Sequence, residues 1–251
     1  MIQTPLSPVL NNVVSTLITI AYVKFALEVG SYVRVKYGVT ELSRKFVHLC
    51  ACSFVVFWPL YDAGHWGWRL NVTVPAVMSL RLIYKVGRFF LGGIRGAILK
   101  DPEDEDVRSM SRTSSPSELL FGPLQMTLIM CRIGLTRFMT EIGVVVMASL
   151  VGDGVAAMVG IEYGKRAYRM PLVGGDKSVE GTIGCALGTM GAILFFSYMC
   201  GVEVTGGYRM LVAYGIVSAI VEATALRNFD NLLLALAMEM AVKHHAKLGP
   251  S

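Results

Sequence analysis

The chain has 251 residues, of which 54% are hydrophobic and 16% charged, with a mean hydropathy of +0.56 and a formal net charge of +5. Roughly a quarter of the residues in a soluble domain are charged, so this composition excludes an ordinary soluble protein and indicates an integral membrane protein. The basic surplus lies mostly in the loops between apolar segments, which argues against a nucleic-acid partner and for a membrane orientation signal.

Apolar residues gather into windows, which in chain order are 9–29, 46–60, 72–84, 119–133, 142–159, 183–200, 210–226 and 232–242. Several are shorter than the roughly 20 residues that cross a hydrocarbon core, so they must extend into flanking residues, thin the bilayer or lie inside the bundle. The sequence therefore predicts an all-α, multi-pass transmembrane helical bundle of about seven spans, with room for an eighth. We expect residues 1–251 to form a single domain.

The basic residues indicate how the spans are oriented. The first, third and fifth loops carry most of them, whereas the even-numbered loops carry few. The positive-inside rule then places the odd loops in the cytosol and the N-terminus on the opposite side. Every unusual polar cluster falls on that one face, so loops distant in sequence can build one site for a water-soluble substrate.

The second apolar window opens with Arg44, Lys45 and His48. One interpretation is a basic anchor at the headgroups beside a buried histidine. The alternative is a phosphate clamp, because Arg44 and His48 stand four residues apart on one face of a helix that begins near Ser43.

Residues 100–118 are the longest polar run, rich in acidic residues, serine and proline, and are predicted to be a polar cytosolic loop. Arg112 lies within this loop. Glu118 ends it and returns the chain to the membrane, where its carboxylate could contact a ligand or cap the next helix.

Asp153, between Gly152 and Gly154, lies inside an otherwise apolar window. A carboxylate within a membrane span is costly to bury, so a functional role is the default hypothesis. Asp153 could bind a divalent cation that bridges phosphate oxygens. The alternative is a buried ion pair with Lys177 or Arg44, and the two interpretations are compatible. The flanking glycines permit either a close backbone approach or a break in the helix.

Lys177, Ser178 and Gly181 have the chemistry of a polyphosphate site, although the Walker spacing is absent. Lys177 supplies a mobile positive charge and Ser178 a hydroxyl. The start of the next helix near Gly181 would supply free backbone N–H groups.

Two further acidic positions follow in the C-terminal windows. Glu222 lies about one helical turn from the end of its window and could be a second metal ligand or the base that takes a hydroxyl proton. Asp230, followed by Asn231, has the position of a helix N-cap.

The chain resembles the polyprenol kinases, most closely the phytol and farnesol kinases, in an ordered set of motifs. These are Arg44-Lys45-x-x-His48, Ser111-Arg112 with Glu118 to Pro123, Gly152-Asp153-Gly154 with Gly160 and Gly164, Lys177-Ser178-x-x-Gly181, and Val221-Glu222 with Asp230-Asn231. The family's second aspartate, three residues after Gly154, is Ala157 here. The family's tyrosine-rich continuation after Pro123 reads Leu124-Gln125-Met126.

The resemblance implies transfer of a phosphoryl group, characteristically from CTP, to the primary hydroxyl of an isoprenoid alcohol such as phytol, farnesol, geranylgeraniol or dolichol. Nucleotide contacts would come from the basic and hydroxyl-bearing motif residues: Arg44, Lys45, His48, Arg112, Lys177, Ser178 and Gly181. Mg²⁺ would bind Asp153, with Glu222 as a second ligand, and Glu222 or Asp153 would orient the hydroxyl of an alcohol that enters from the bilayer.

Two other functions stay open. A lipid cytidylyltransferase has a similar layout, but its paired aspartates in a C-terminal polar loop are not visible here. A proton-coupled transporter could use Asp153 and Glu222 as a relay, although we find no convincing inverted repeat. For location we expect the endoplasmic reticulum membrane, with a plastid membrane as the alternative, because no targeting peptide is recognised.

Overall fold

The structure is a computed structural model that describes residues 6–38, 40–92, 116–169, 177–226 and 229–248. These residues form a bundle of helices, which confirms the all-α class. The α-helices are α1 (Pro8–Tyr37), α2 (Thr40–Cys52), α3 (Thr73–Gly92), α4 (Pro116–Leu119), α5 (Gln125–Thr136), α6 (Glu141–Tyr163), α7 (Val179–Cys200), α8 (Gly207–Thr224) and α9 (Asp230–Leu248).

Three short elements complete the architecture. Two 3₁₀ segments, Ser53–Leu60 and Trp66–Val72, connect α2 to α3, and a π turn, Leu120–Leu124, joins α4 to α5. Strands β1 (Ala167–Tyr168) and β2 (Lys177–Ser178) pair in antiparallel register between α6 and α7.

The apolar windows of the sequence lie in helical elements, except that the window 210–226 runs two residues past the end of α8. By length and composition, α1, α6 and α7 are the three helices in the described part of the chain that are long and apolar enough to cross a membrane. The number of spans stays a prediction. Arg112 and most of the polar run 100–118 lie outside the described residues.

The core is built around α6, which packs against α2, α7 and α9. Its residues from Val144 to Leu150 are buried on every side of the helix, against side chains that include Trp58, Phe196 and Met238. A helix that is apolar all round belongs in the interior of a bundle. The Gly152-Asp153-Gly154 segment is therefore carried at the centre of the fold.

Small residues bring α6 and α7 close together. A Cβ on Gly152 would overlap the Thr189 hydroxyl and lie 2.8 Å from the carbonyl oxygen of Cys185, and a Cβ on Gly188 would lie 2.9 Å from Val155. The close approach predicted for the glycines is present. The alternative, a break in the helix, is not, because α6 runs without interruption from Glu141 to Tyr163.

Polar residues of α1 fix the end of the second apolar window. Asn11 Nδ2 and Ser15 Oγ donate to the carbonyl oxygen of Leu60 at 2.7 and 2.9 Å, and Asn12 Oδ1 accepts from the backbone N–H of Asp62 at 2.8 Å. These bonds satisfy backbone groups that would otherwise be left unpaired where the 3₁₀ segment ends. They anchor the chain that follows α2 against α1.

Candidate functional site

The centre of the site is an ion pair between α2 and α6. Lys45 Nζ donates to Asp153 Oδ2 at 3.0 Å, and both side chains are buried, with 8% and 5% of their surfaces exposed. The predicted buried ion pair of Asp153 is present, but its partner is neither Lys177 nor Arg44. The reason is geometric: Lys45 projects across the α2–α6 contact, whereas Lys177 and Arg44 each have another carboxylate beside them.

His48 reinforces this contact one turn along α2. Its Nε2 lies 3.0 Å from the carbonyl oxygen of Leu150 and 3.6 Å from Asp153 Oδ2. A carbonyl only accepts, so the hydrogen bond requires a proton on Nε2. Arg44 does not share this environment, because it forms an ion pair with Glu41 one turn before it. α2 begins at Thr40, earlier than the predicted Ser43.

A second ion pair joins the α6–α7 connection to α8. Lys177 Nζ donates to the carbonyl oxygen of Glu222 at 3.1 Å and forms an ion pair with the Glu222 carboxylate. Glu222 is buried, whereas Lys177 keeps part of its surface exposed. The prediction that Glu222 faces the same cluster as the basic loops is consistent with this contact.

The electrostatics link the two pairs. Burial disfavours the charged form of Lys177, but the attraction of Glu222 and its hydrogen bond outweigh that cost, so the pKa of Lys177 is raised above its usual value. Asp153 and Asp230 act on Lys177 in the same direction. Lys177 is therefore positively charged at neutral pH, in contact with Glu222 and influenced by the charges of Asp153 and Asp230.

Ser178 and Gly181 are used to start α7. Ser178 Oγ accepts the backbone N–H of Gly181 at 3.0 Å, and the backbone N–H of Val179 donates to the carbonyl oxygen of Arg166 at 3.0 Å. These two N–H groups are thus engaged, in contrast to the expectation that the helix start near Gly181 offers free donors. The local reason is that Ser178 is a favourable N-cap residue.

α9 begins at Asp230, so the helix start predicted there is present, but Asp230 is the first residue of the helix and not its N-cap. Asp230 Oδ1 accepts the backbone N–H of Asn231 at 3.0 Å. Asn231 is buried, and its side-chain oxygen has no hydrogen-bond partner among the described residues. Such an acceptor is costly to leave unpaired, so it is a candidate for contact with a ligand.

One predicted site residue, Glu118, and the position of the family's missing aspartate, Ala157, take no part in these contacts. Glu118 lies half-buried in α4 and has an interaction partner, and its role stays a prediction. Ala157, which stands where the polyprenol kinases have a second aspartate, lies one turn after Asp153 on α6 and is partly exposed.

The described carboxylates could bind a metal ion that a bound substrate also coordinates. They do not form a metal site in which protein side chains supply every ligand. Among the described residues, no group of three or more His, Cys, Asp or Glu side chains could hold a metal ion. Mg²⁺ is often bound by one or two carboxylates together with substrate phosphates and water. Asp153, whose contacts with Lys45 and His48 are both on Oδ2, fits that limited role.

An apolar cleft beside the site was not predicted. It lies between α1, α2, α3 and α5 and is lined by residues that include Leu27, Val47, Ala51 and Met78. α2 thus presents Lys45 and His48 to Asp153 and presents Val47 and Ala51 to the cleft. No single sequence motif predicts this cleft, because residues from four separate helices line it.

The chain is similar in sequence to phytol kinases and a farnesol kinase. It is 32% identical over 169 residues to the probable phytol kinase 2, chloroplastic, of Oryza sativa subsp. japonica, covering 65% of this chain and 51% of that protein. It is 29% identical over 213 residues to the farnesol kinase, chloroplastic, of Arabidopsis thaliana, covering 80% of this chain and 64% of that protein. It is 28% identical over 208 residues to the probable phytol kinase 3, chloroplastic, of Glycine max, covering 78% and 60%.

These relatives confirm the resemblance to the phytol and farnesol kinases. The chain spans between about half and two thirds of their length. No protein-family model and no solved structure matches the chain. All three relatives are chloroplastic by name, so the expected location in the endoplasmic reticulum receives no support from them.

Proposed function

We propose that this protein is an isoprenoid alcohol kinase, which transfers the γ-phosphoryl group of a nucleoside triphosphate to the primary hydroxyl of a membrane-borne alcohol. The observation that carries the proposal is the pairing of Lys45 with Asp153 beside Lys177 with Glu222 in a helical, lipid-compatible bundle. Two lysines and two buried carboxylates supply the charge neutralisation and positioning on which phosphoryl transfer depends. The similarity to phytol and farnesol kinases supports the substrate class.

The reaction is a displacement at the γ-phosphorus. A bond forms between the alcohol oxygen and the γ-phosphorus, and the bond from that phosphorus to the β–γ bridging oxygen breaks. The products are a lipid monophosphate and a nucleoside diphosphate, which carries away the bonding electron pair. The hydroxyl proton passes to a carboxylate, for which Glu222 or Asp153 is available.

The lysines have distinct roles in this proposal. Lys177 is partly exposed, so it can exchange Glu222 for a phosphate oxygen when nucleotide binds. That exchange leaves the Glu222 carboxylate free to accept the hydroxyl proton. Lys45 is buried and holds Asp153 in place, with His48 beside it. Mg²⁺ held by Asp153, with Glu222 as a second candidate ligand, would neutralise charge on the phosphate oxygens.

The alcohol would approach from the bilayer. The apolar cleft between α1, α2, α3 and α5 offers residues such as Val47 and Met78 for contact with part of the isoprenoid chain. We further propose CTP as the donor, on the family resemblance, and a plastid membrane as the location, because the relatives are named chloroplastic.

The experiment uses the purified full chain in detergent with phytol, farnesol, geranylgeraniol or dolichol. Each alcohol is combined with CTP, ATP, GTP or UTP, labelled at the γ position in one series and at the α position in another, with Mg²⁺ or with EDTA. Transfer of γ label from CTP to a lipid monophosphate, lost in EDTA, is expected. Absence of γ transfer with every pair would overturn the kinase. Transfer of α label to a lipid phosphate would instead identify a cytidylyltransferase.

A further inference from the structure

A second charged cluster lies away from the candidate site, where α5 and the turn after it meet the C-terminal half of α9. Glu239 is buried, with 6% of its side chain exposed, and three cations surround it. Arg137 lies 3.2 Å and Lys243 2.8 Å from Oε1, and Arg132 forms an ion pair with Oε2. One cation would neutralise this carboxylate, so the cluster carries a surplus of two positive charges.

The surplus is accessible. Arg132 and Lys243 have 44% and 47% of their side chains exposed. An arginine has five N–H donors and a lysine three, and the contacts with Glu239 occupy few of them. The Arg137 Nε is buried and has no hydrogen-bond partner among the described residues. The cluster therefore retains donors suited to an anion with several oxygens, such as a phosphate group.

The surroundings of the cluster are apolar. Leu128 and Leu135 lie four residues before and three residues after Arg132 on α5, and both are exposed. Met240, three residues before Lys243 on α9, is 69% exposed. Residues three or four apart share a helix face, so Arg132 and Lys243 each adjoin exposed apolar side chains on their own helix. The two helices are in contact, which brings the two faces side by side.

We propose that Arg132, Arg137 and Lys243 bind the phosphate-bearing headgroup of an anionic lipid, whose acyl chains lie along the exposed faces of α5 and α9. A soluble phosphate would use the cations but not the exposed apolar side chains, whereas an anionic lipid uses both. A purely structural clamp would need neither the charge surplus nor the exposed donors. This lipid site is independent of the proposed kinase activity.

The test measures the thermal midpoint and the lipid occupancy, by native mass spectrometry, of the purified full chain. Phosphatidylglycerol, phosphatidylcholine and inorganic phosphate are titrated separately. Phosphatidylglycerol is expected to stabilise the protein and to remain bound, and phosphatidylcholine is not. Equal effects of the two lipids would overturn the proposal, and an equal effect of inorganic phosphate would overturn its assignment to a lipid.

The variants separate binding from folding. The double variant Arg132→Gln, Lys243→Gln keeps Arg137 as the partner of Glu239 and is expected to weaken the affinity for phosphatidylglycerol about 30-fold. Arg209→Gln, which removes an exposed cation from the start of α8, is the matched control and should retain that affinity. A double variant that binds as tightly as the unmodified protein overturns the site. If the double variant does not fold, it is replaced by Lys243→Arg together with a salt titration of the unmodified protein. Lys243→Arg is expected to retain binding, and the unmodified protein is expected to lose its preference for phosphatidylglycerol at high salt. A preference that does not depend on salt overturns the proposal.

Discussion

The buried carboxylates of this bundle are neutralised in two different ways. Asp153 and Glu222 are each paired with one lysine, Lys45 or Lys177, whereas Glu239 is surrounded by three cations. A balanced pair, with one cation for one carboxylate, has no net charge, so it offers a charge to a ligand only after the ligand has displaced one partner. The cluster at Glu239 attracts an anion without rearrangement. The same residue types thus suit a reacting site at one place and a static binding site at another.

Among the variants that test this comparison, Asp153→Asn is expected to have the largest effect on phosphoryl transfer. The change removes the charge that Lys45 neutralises and the proposed metal ligand, so γ-phosphoryl transfer should fall at least about 100-fold. Leaving Lys45 buried without its partner should also cost about 3 kcal/mol or more of stability. Labelled transfer and the thermal midpoint in detergent measure the two effects.

Ser149→Ala is the matched control for this change. Ser149 is buried on the same helix, one turn before Asp153, and donates to the carbonyl oxygen of Val146 at 2.7 Å. Loss of this hydroxyl should leave phosphoryl transfer within about twofold of the unmodified protein, because its hydrogen bond is to the backbone of its own helix. Normal transfer by Asp153→Asn would remove Asp153 from the active site.

Lys177→Ala is expected to have the next largest effect. Glu222 loses its partner and the nucleotide loses a mobile cation, so transfer should fall about 100-fold, with a large part of the loss in the KM for nucleotide. Lys165→Ala is the control for the loss of a positive charge from the same α6–α7 connection. Lys165 is exposed, and its described contact with Glu180 is through its backbone N–H. Equal losses in the two variants would indicate a general effect of charge.

Gly152→Ala tests the packing that holds the balanced pairs in place. The added Cβ would meet Thr189 and the Cys185 carbonyl, so the α6–α7 contact should lose about 1–3 kcal/mol. Gly191→Ala, with nothing within 4 Å of the new Cβ, should be neutral or stabilise α7 by up to about 1 kcal/mol. Chemical or thermal unfolding in detergent compares them, and equal stability of the two variants would contradict the close approach.

Glu239→Gln should have the smallest effect on activity. Its partners are partly exposed, so the loss of the carboxylate should cost about 1 kcal/mol and leave phosphoryl transfer unchanged. Binding of phosphatidylglycerol should tighten, because three cations no longer share a carboxylate. Weaker binding of this lipid to Glu239→Gln would mean that the cations act only as a structural clamp.

Part of the site was predictable because rare residue types stand out in an apolar chain. Asp153 and Glu222 were identified by their position within apolar windows, and Lys45 and Lys177 by their place on the basic face. Their pairing was not predictable. α6 is apolar on all sides, so its sequence has no periodicity to show which face carries Asp153 toward α2.

The role of Ser178 and Gly181 was also decided by local geometry. Both residue types suit a phosphate site and both suit the start of a helix. In the structure Ser178 Oγ caps the Gly181 N–H, so the donors predicted to be free are used by the protein itself. Which of the two roles applies depends on the first residue of α7, which is Val179. A sequence pattern locates such a helix boundary only to within a residue or two.

The sequence by itself determined the membrane character, the helical windows and the position of each costly charge, because composition and local order control all three. The tertiary structure decided which lysine neutralises which carboxylate, how closely α6 approaches α7, and that α2 divides a charged site from an apolar cleft. Those features depend on the rotation and spacing of helices that are distant in sequence. Packing of side chains across the bundle sets that rotation and spacing, and no single segment contains the information.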